Sequence, residues 1–244
     1  MKKSILVTAL LMIFVVTVAA ACGQKPAAGN DASSAAVEKQ ETVSVQQTLI
    51  SSLITNPIVV FEESKEDIIG NSGEFIAVGT DRDVTEDGVL FHAASDENPF
   101  LAFAKSQEGT TGNQAFYAKF LPSAKDFGFM LSSETGVGFT IGEENEPCYF
   151  LQNGASIIPI TTDMRIEPGN WYHMVLAIDS TGAFQGVICK DGALEQAAYF
   201  SVSADDTEGE NRVDQSWQLY AGFRGEATLT IQSYSLYSFD SFAK

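Results

Sequence analysis

The chain has 244 residues, of which 32 are Asp or Glu and only 14 are Lys or Arg, giving a formal charge of −18 at pH 7. A surface this acidic repels nucleic acid and anionic lipid headgroups and excludes both as partners held by charge, leaving cations, neutral glycans and basic proteins. Two histidines and three cysteines leave little scope for multi-ligand metal or thiol chemistry.

Lys2 and Lys3 form a basic start, Ile5 to Val18 an apolar run, and Ala19-Ala20-Ala21 a small-residue cleavage site. Together they read as a secretory signal peptide over residues 1–21, too short to span a bilayer. Its removal would take two lysines and no acid, making the balance more negative still. Ala19-Ala20-Ala21-Cys22-Gly23 resembles the lipobox of bacterial lipoproteins. The resemblance implies that Cys22 carries the lipid and becomes the mature N-terminus, so that the chain is extracytoplasmic and its membrane partner is reached through that lipid. Each buried CH₂ adds ~0.8 kcal/mol, so several acyl chains on one residue make a durable anchor.

Residues 22–56 follow as a tether. From Gly23 to Glu41 there is no aromatic and almost no large apolar residue, so the segment cannot offset its ordering entropy. Val45, Leu49, Ile50, Leu53 and Ile54 then recur at helical spacing until Asn56-Pro57 stops them. This predicts a short amphipathic helix packed on the following domain, with an edge strand as the alternative.

Over residues 57–244 the period changes to two. Phe75–Val78, Val89–His92, Phe100–Phe103, Ala115–Phe120, Phe127–Leu131, Val137–Ile141, Trp171–Ile178, Phe184–Cys189, Ala197–Val202, Trp217–Phe223 and Ala227–Phe239 read as short strands bounded by turn residues. The expected fold is all-β, an antiparallel two-sheet sandwich of jelly-roll type with one core. Trp171 to Ile178 is apolar on both faces, as a central strand covered on both sides should be. Asp191-Gly192, between Phe184–Cys189 and the later run Ala197–Val202, predicts a hairpin, because that dipeptide is favoured where both central turn residues need positive φ.

Pro168-Gly169-Asn170-Trp171-Tyr172-His173, then Asp179-Ser180-Thr181-Gly182, then Lys190-Asp191-Gly192 resemble laminin-G-like and concanavalin A-like domains, in which a Gly-x-Trp-x-His strand leads through a turn to a hairpin. Ala227 to Ser238 is similar to that family's closing strand. The resemblance implies two curved antiparallel sheets in a family where glycan binding, protein adhesion and glycan hydrolysis all occur.

Hydrolysis with retention needs two carboxyl groups ~5–5.5 Å apart. The concanavalin-like glucanases supply them as Glu-x-Asp-x-x-Glu, and this chain has no such motif. Asp81-Arg82-Asp83-Val84-Thr85-Glu86 comes nearest but begins with Asp, carries Arg where an aliphatic residue should pack, and reads as a loop between Gly79 and Gly88. His92 and His173 stand in no metal-ligand spacing, and His173 reads as a packed, hydrogen-bonded imidazole. The sequence therefore favours non-catalytic carbohydrate recognition, with a protein-binding adhesion domain as the alternative and a glycosidase as the third reading.

Asp81, Asp83 and Asp87 suggest a calcium loop, since oxygen side chains at alternate positions before Gly88 can wrap a hard cation; a plain Asp-Gly turn accounts for the same residues. Alternation points Tyr117 and Lys119 away from Phe116 and Phe120, and Tyr220 away from Leu219 and Ala221. Tyr117, Lys119 and Tyr220 are thus the candidate ligand contacts, because exposed rings can stack on sugar faces; core packing is the competing reading. Cys148 and Cys189 are either a disulfide or two buried free thiols.

Overall fold

A computed structural model describes residues 45–70, 75–93, 100–103, 112–124, 127–132, 136–151, 156–204, 218–223 and 227–244. Helix α1, residues 45–53, turns Leu49, Ile50 and Leu53 onto one buried stripe and leaves Gln47, Thr48, Ser51 and Ser52 exposed. Pro57 cannot continue it, and Asn56 turns the chain at φ 48°. The chain leaves the helix as β1 (Ile54–Thr55), which pairs with β17 (Ser241–Phe242) and joins the two ends of the domain.

Two antiparallel sheets follow, with strands numbered in chain order. The eight-stranded sheet runs β14 (Ala198–Val202), β13 (Phe184–Lys190), β12 (Tyr172–Ile178), β7 (Gln114–Pro122), β16 (Thr228–Ser238), β5 (Gly88–Ala93) and β4 (Thr80–Thr85). Its eighth strand, β2 (Ile58–Glu63), pairs with the far half of β16. The seven-stranded sheet runs β11 (Ser156–Pro159), β10 (Pro147–Leu151), β9 (Gly136–Ile141), β8 (Phe127–Ser132), β15 (Gln218–Phe223), β6 (Phe100–Phe103) and β3 (Phe75–Val78). Helix α2 (Lys65–Gly70) follows β2, its first turn closed by Ser64 and Asp67, and drops Ile68 into the core.

Period two explains the layering. Alternate residues of each sheet meet in a core dense in aromatic rings, among them Phe75, Phe91, Phe103, Phe120, Phe129 and Tyr234. Edge-to-face pairs such as Phe120 on Phe129, with centroids 4.8 Å apart, fill that space in the geometry aromatic quadrupoles prefer. The expected all-β sandwich is the observed fold, and residues 45–53 take the helical alternative and pack on it as expected.

A second apolar cluster lies outside the sandwich, on the outer face of the eight-stranded sheet. There α1 covers Ala115, Tyr117, Val175, Ala177, Val187 and Cys189. Gln46 fixes the helix by hydrogen bonds to Ser235 and Tyr237. β12 is therefore buried on both faces along its whole length, as its apolar run required.

One expectation needs correction, one gains detail and one open alternative is decided. Asp81 to Thr85 is not a loop but the charged edge strand β4, joined to β5 by the two-residue turn Glu86-Asp87. Charges on an edge strand discourage pairing with another chain, and they hid the strand from a reading based on hydrophobic alternation. β13 and β14 form the hairpin expected at Asp191-Gly192, but its connection is longer than two residues: of the pair only Gly192 has positive φ, at 77°, and a 3₁₀ turn at Leu194–Gln196 follows before β14. Cys148 and Cys189 are free thiols, because β10 and β13 belong to different sheets and Cys189 faces outward beneath α1.

Candidate functional site

Tyr117 is not a solvent-facing ring. It is fully buried under α1, and its hydroxyl lies 2.8 Å from Nδ1 of His173. Burial pushes the phenol well above its usual range, so it keeps its proton. His173, also fully buried, gives Nε2–H to Asp191 at 3.0 Å, which leaves Nδ1 to accept from Tyr117. Lys119 is buried as well, and its ammonium sits 2.8 Å from the other oxygen of Asp191 and 5.7 Å from the Trp171 ring centroid. The hydrogen bond from His173, helped by Lys119, holds the Asp191 carboxyl well below the usual range. This network ties β7, β12 and the Asp191 turn together. It is a structural element, and it removes Tyr117 and Lys119 as ligand contacts.

Asp81 and Asp83 flank His92 on the neighbouring strand, at 3.9 and 3.8 Å from its two ring nitrogens. The two nitrogens point to opposite sides, so one cation cannot sit between them and both acids. Asp87 is at the turn, where its backbone N–H bonds the Thr85 hydroxyl. The three acids are thus not gathered into a calcium loop, and among the described residues no group of three or more His, Cys, Asp or Glu is placed to hold a metal ion.

Tyr220 stands differently. Its side chain lies outside the described residues; on β15 it stands between Leu219 and Ala221, which are buried in the core. Its cross-strand partner is Met130, and the same row continues through Gly138, Phe150 and Ile157. Met130 and Phe150 are half-buried, and Ile157 is 62% exposed. Gly138 is required here: a Cβ would collide with the Phe150 ring and with the carbonyl of Phe129. The absence of a side chain lets the Phe150 ring occupy the space above Gly138.

The charge of that sheet is its most unusual property. None of its seven strands contains an Asp, Glu, Lys, Arg or His, although the chain as a whole carries −18. Among the described residues the acids sit instead in turns and connecting segments, in α2 and on the strands of the other sheet. The sequence reading missed Met130 and Phe150; the detectable signal was Gly138 inside a strand, which marks close approach of another group.

No protein-family model matches the chain, and no curated protein matches it by sequence. Solved structures do. A winged bean acidic lectin complexed with methyl-alpha-D-galactose aligns with a TM-score of 0.50 at 12% identity, over 78% of this chain and 100% of that one. Crh5 transglycosylase in complex with NAG aligns with a TM-score of 0.53 at 11% identity, over 78% of this chain and 86% of that one. A glycosyl hydrolase family protein from Mycobacterium fortuitum aligns with a TM-score of 0.52 at 11% identity, over 73% and 99%. The fold is a concanavalin A-like β-sandwich. At such identities the likeness concerns the fold alone.

Proposed function

We propose that the chain is a surface-tethered, non-catalytic recognition domain that binds an uncharged extracellular glycan on the outer face of its seven-stranded sheet. The observation that carries this reading is the charge-free sheet bearing the row Tyr220, Met130, Gly138, Phe150 and Ile157. Flat apolar rings and thioethers offer sugar faces a dry contact, while the lack of ionised groups spares a neutral ligand any desolvation of charge. The lectin likeness supports sugar recognition on this fold.

The hydrolase and transglycosylase likenesses favour a glycosidase. Against it stands the same sheet, whose strands offer no carboxyl group to protonate a leaving oxygen or to attack an anomeric carbon. A protein ligand is the remaining alternative, favoured by the exposed run Ile58, Val59 and Val60 on β2. Anchoring through Cys22 and an extracytoplasmic location complete the proposal; both lie outside the described residues and rest on the signal segment.

The test is a glycan array with neutral and uronic-acid polysaccharides, repeated with Phe150→Ala. Binding to neutral chains that weakens about tenfold or more in the variant, some 1.4 kcal/mol, is the expected result. Binding confined to charged glycans, or unchanged in Phe150→Ala, refutes the site. Sugar release by the wild-type protein refutes the non-catalytic assignment.

A further inference from the structure

The outer-face row of the seven-stranded sheet is built from direct cross-strand neighbours. Met130 on β8 stands opposite Gly138 on β9, Gly138 opposite Phe150 on β10, and Phe150 opposite Ile157 on β11. Residues directly opposite one another in antiparallel strands share a face. That face is turned away from the core, because Phe129 and Phe139, next in sequence to Met130 and Gly138, are fully buried inside it. Three steps between strands, ~4.8 Å each, make the row ~14 Å long. The Phe150 ring fills the space over Gly138, so β9 interrupts the apolar surface with no polar side chain.

Among the described residues the row is flanked by little that could wall it in. Two places along the strands, the same face carries Gly128 and Thr140 on one side and Gly136 on the other. Thr140 donates its hydroxyl to the carbonyl of Phe127 at 3.0 Å, so that proton is spent within the sheet. Met130, Phe150 and Ile157 have neither a hydrogen-bond donor nor a strong acceptor in their side chains. A site that reads a single terminal sugar needs a concavity and convergent polar groups to recognise its hydroxyls. This row offers a line of apolar contacts instead.

Resting on the glycan-binding reading, we propose that this strip takes the flat face of an extended, unbranched, uncharged polysaccharide, contacting the interior of the chain and neither of its ends. A sugar ring is about as long as one strand spacing, ~5 Å, so the strip is covered by about three consecutive rings and a single sugar leaves most of it in water. Without polar side chains the strip cannot read a pattern of hydroxyls. It selects by shape: rings whose substituents are all equatorial turn C–H groups to both faces and keep the chain straight, whereas axial linkages curl it away from a flat surface. The lost translational and rotational freedom is charged once per ligand, so each further ring adds contact without that cost until the strip is filled.

The test is isothermal titration calorimetry of the chain from residue 23 onward, which retains every described residue. The probes are cello-oligosaccharides and chito-oligosaccharides from single sugars to hexamers, with malto-oligosaccharides as the curled controls. In an extended series affinity should rise about tenfold or more from the single sugar to the tetramer and change little beyond it. Reducing the terminal aldehyde of the hexamer should leave its affinity unchanged. Ile157 closes one end of the strip and is 62% exposed, so Ile157→Ala should leave the melting temperature unaltered. It should lower affinity for the hexamer about fivefold and leave that for the disaccharide unchanged. Equal affinity for single sugar and hexamer, tighter binding of the curled chain, dependence on the terminal aldehyde, or an unchanged hexamer affinity in Ile157→Ala overturns the proposal. Where Phe150→Ala still weakens binding of neutral glycans in those cases, the proposed function stands and only the strip falls; absence of all neutral-glycan binding removes both.

Discussion

Replacing Asp191 by Asn keeps the shape of the side chain and removes its charge, and it should destabilise the domain by about 2 kcal/mol. Lys119 has a side chain only 7% exposed, and its ammonium is held by Asp191 at 2.8 Å. Removing one partner of a buried pair typically costs ~3–5 kcal/mol, because a buried charge is left unpaired. Asp191 is itself 37% exposed, so water reaches the pair and the figure must be reduced. The loss of one acid from a chain of charge −18 acts in the opposite direction by lowering net repulsion, so a net loss of stability isolates the network. The pH dependence has a definite sign. Asp191 titrates lower in the folded than in the unfolded chain, so its contribution is present above the unfolded carboxylate value of ~3.9 and is lost as pH falls through the folded value. Urea denaturation at pH 7 and across the acid range measures both effects. A midpoint shift worth less than ~0.5 kcal/mol at pH 7, or an acid limb as steep in Asp191→Asn as in wild type, would refute the assignment of this network as a stabilising one.

Leu53→Ala, which empties part of the contact between α1 and the outer sheet face, should cost ~2–4 kcal/mol; an unchanged denaturation midpoint would mean that the helix does not dock there. Gly138→Ala should destabilise by ~1–3 kcal/mol and weaken glycan binding together, because the new methyl group displaces the Phe150 ring; binding lost without any change in stability would contradict that packing. Cys148 and Cys189 should resist alkylation in the folded protein and both react in urea without reductant, burial having pushed the Cys189 thiol up to about 12; a mass two hydrogens lighter than the free dithiol would establish a disulfide instead. Cys22→Ser should move the protein from the detergent phase to the aqueous phase when expressed in a bacterial host; equal partitioning of both forms would dismiss the lipid anchor.

The positions of the strands were legible because alternation survives wherever one face of a strand is buried, as in Phe127, Phe129 and the intervening Gly128 and Met130. What alternation does not carry is the identity of the layer on the other side. It correctly separated Tyr117 from Phe116, yet both are buried, since β7 lies mid-sheet and α1 covers its outer face. The amphipathic run Val45 to Ile54 already held the missing information: an apolar helical stripe must bury itself somewhere, and the doubly apolar strand Trp171 to Ile178 was where it could. Charge misled in the other direction at Asp81-Arg82-Asp83, where acids read as part of a loop serve as the guard of an edge strand. The charge-free sheet could not be seen along the chain at all. Its strands are scattered from Phe75 to Phe223 and separated by segments rich in Asp and Glu, so only the strand order brings them side by side. Folding thus sorts an acidic sequence into a charged sheet and a neutral one. Core packing needs neutrality on the inner face only. The outer face of a solvent-exposed sheet is where polar and charged residues ordinarily fall, and the lack of charge there is the feature that a ligand-binding role explains and stability alone does not.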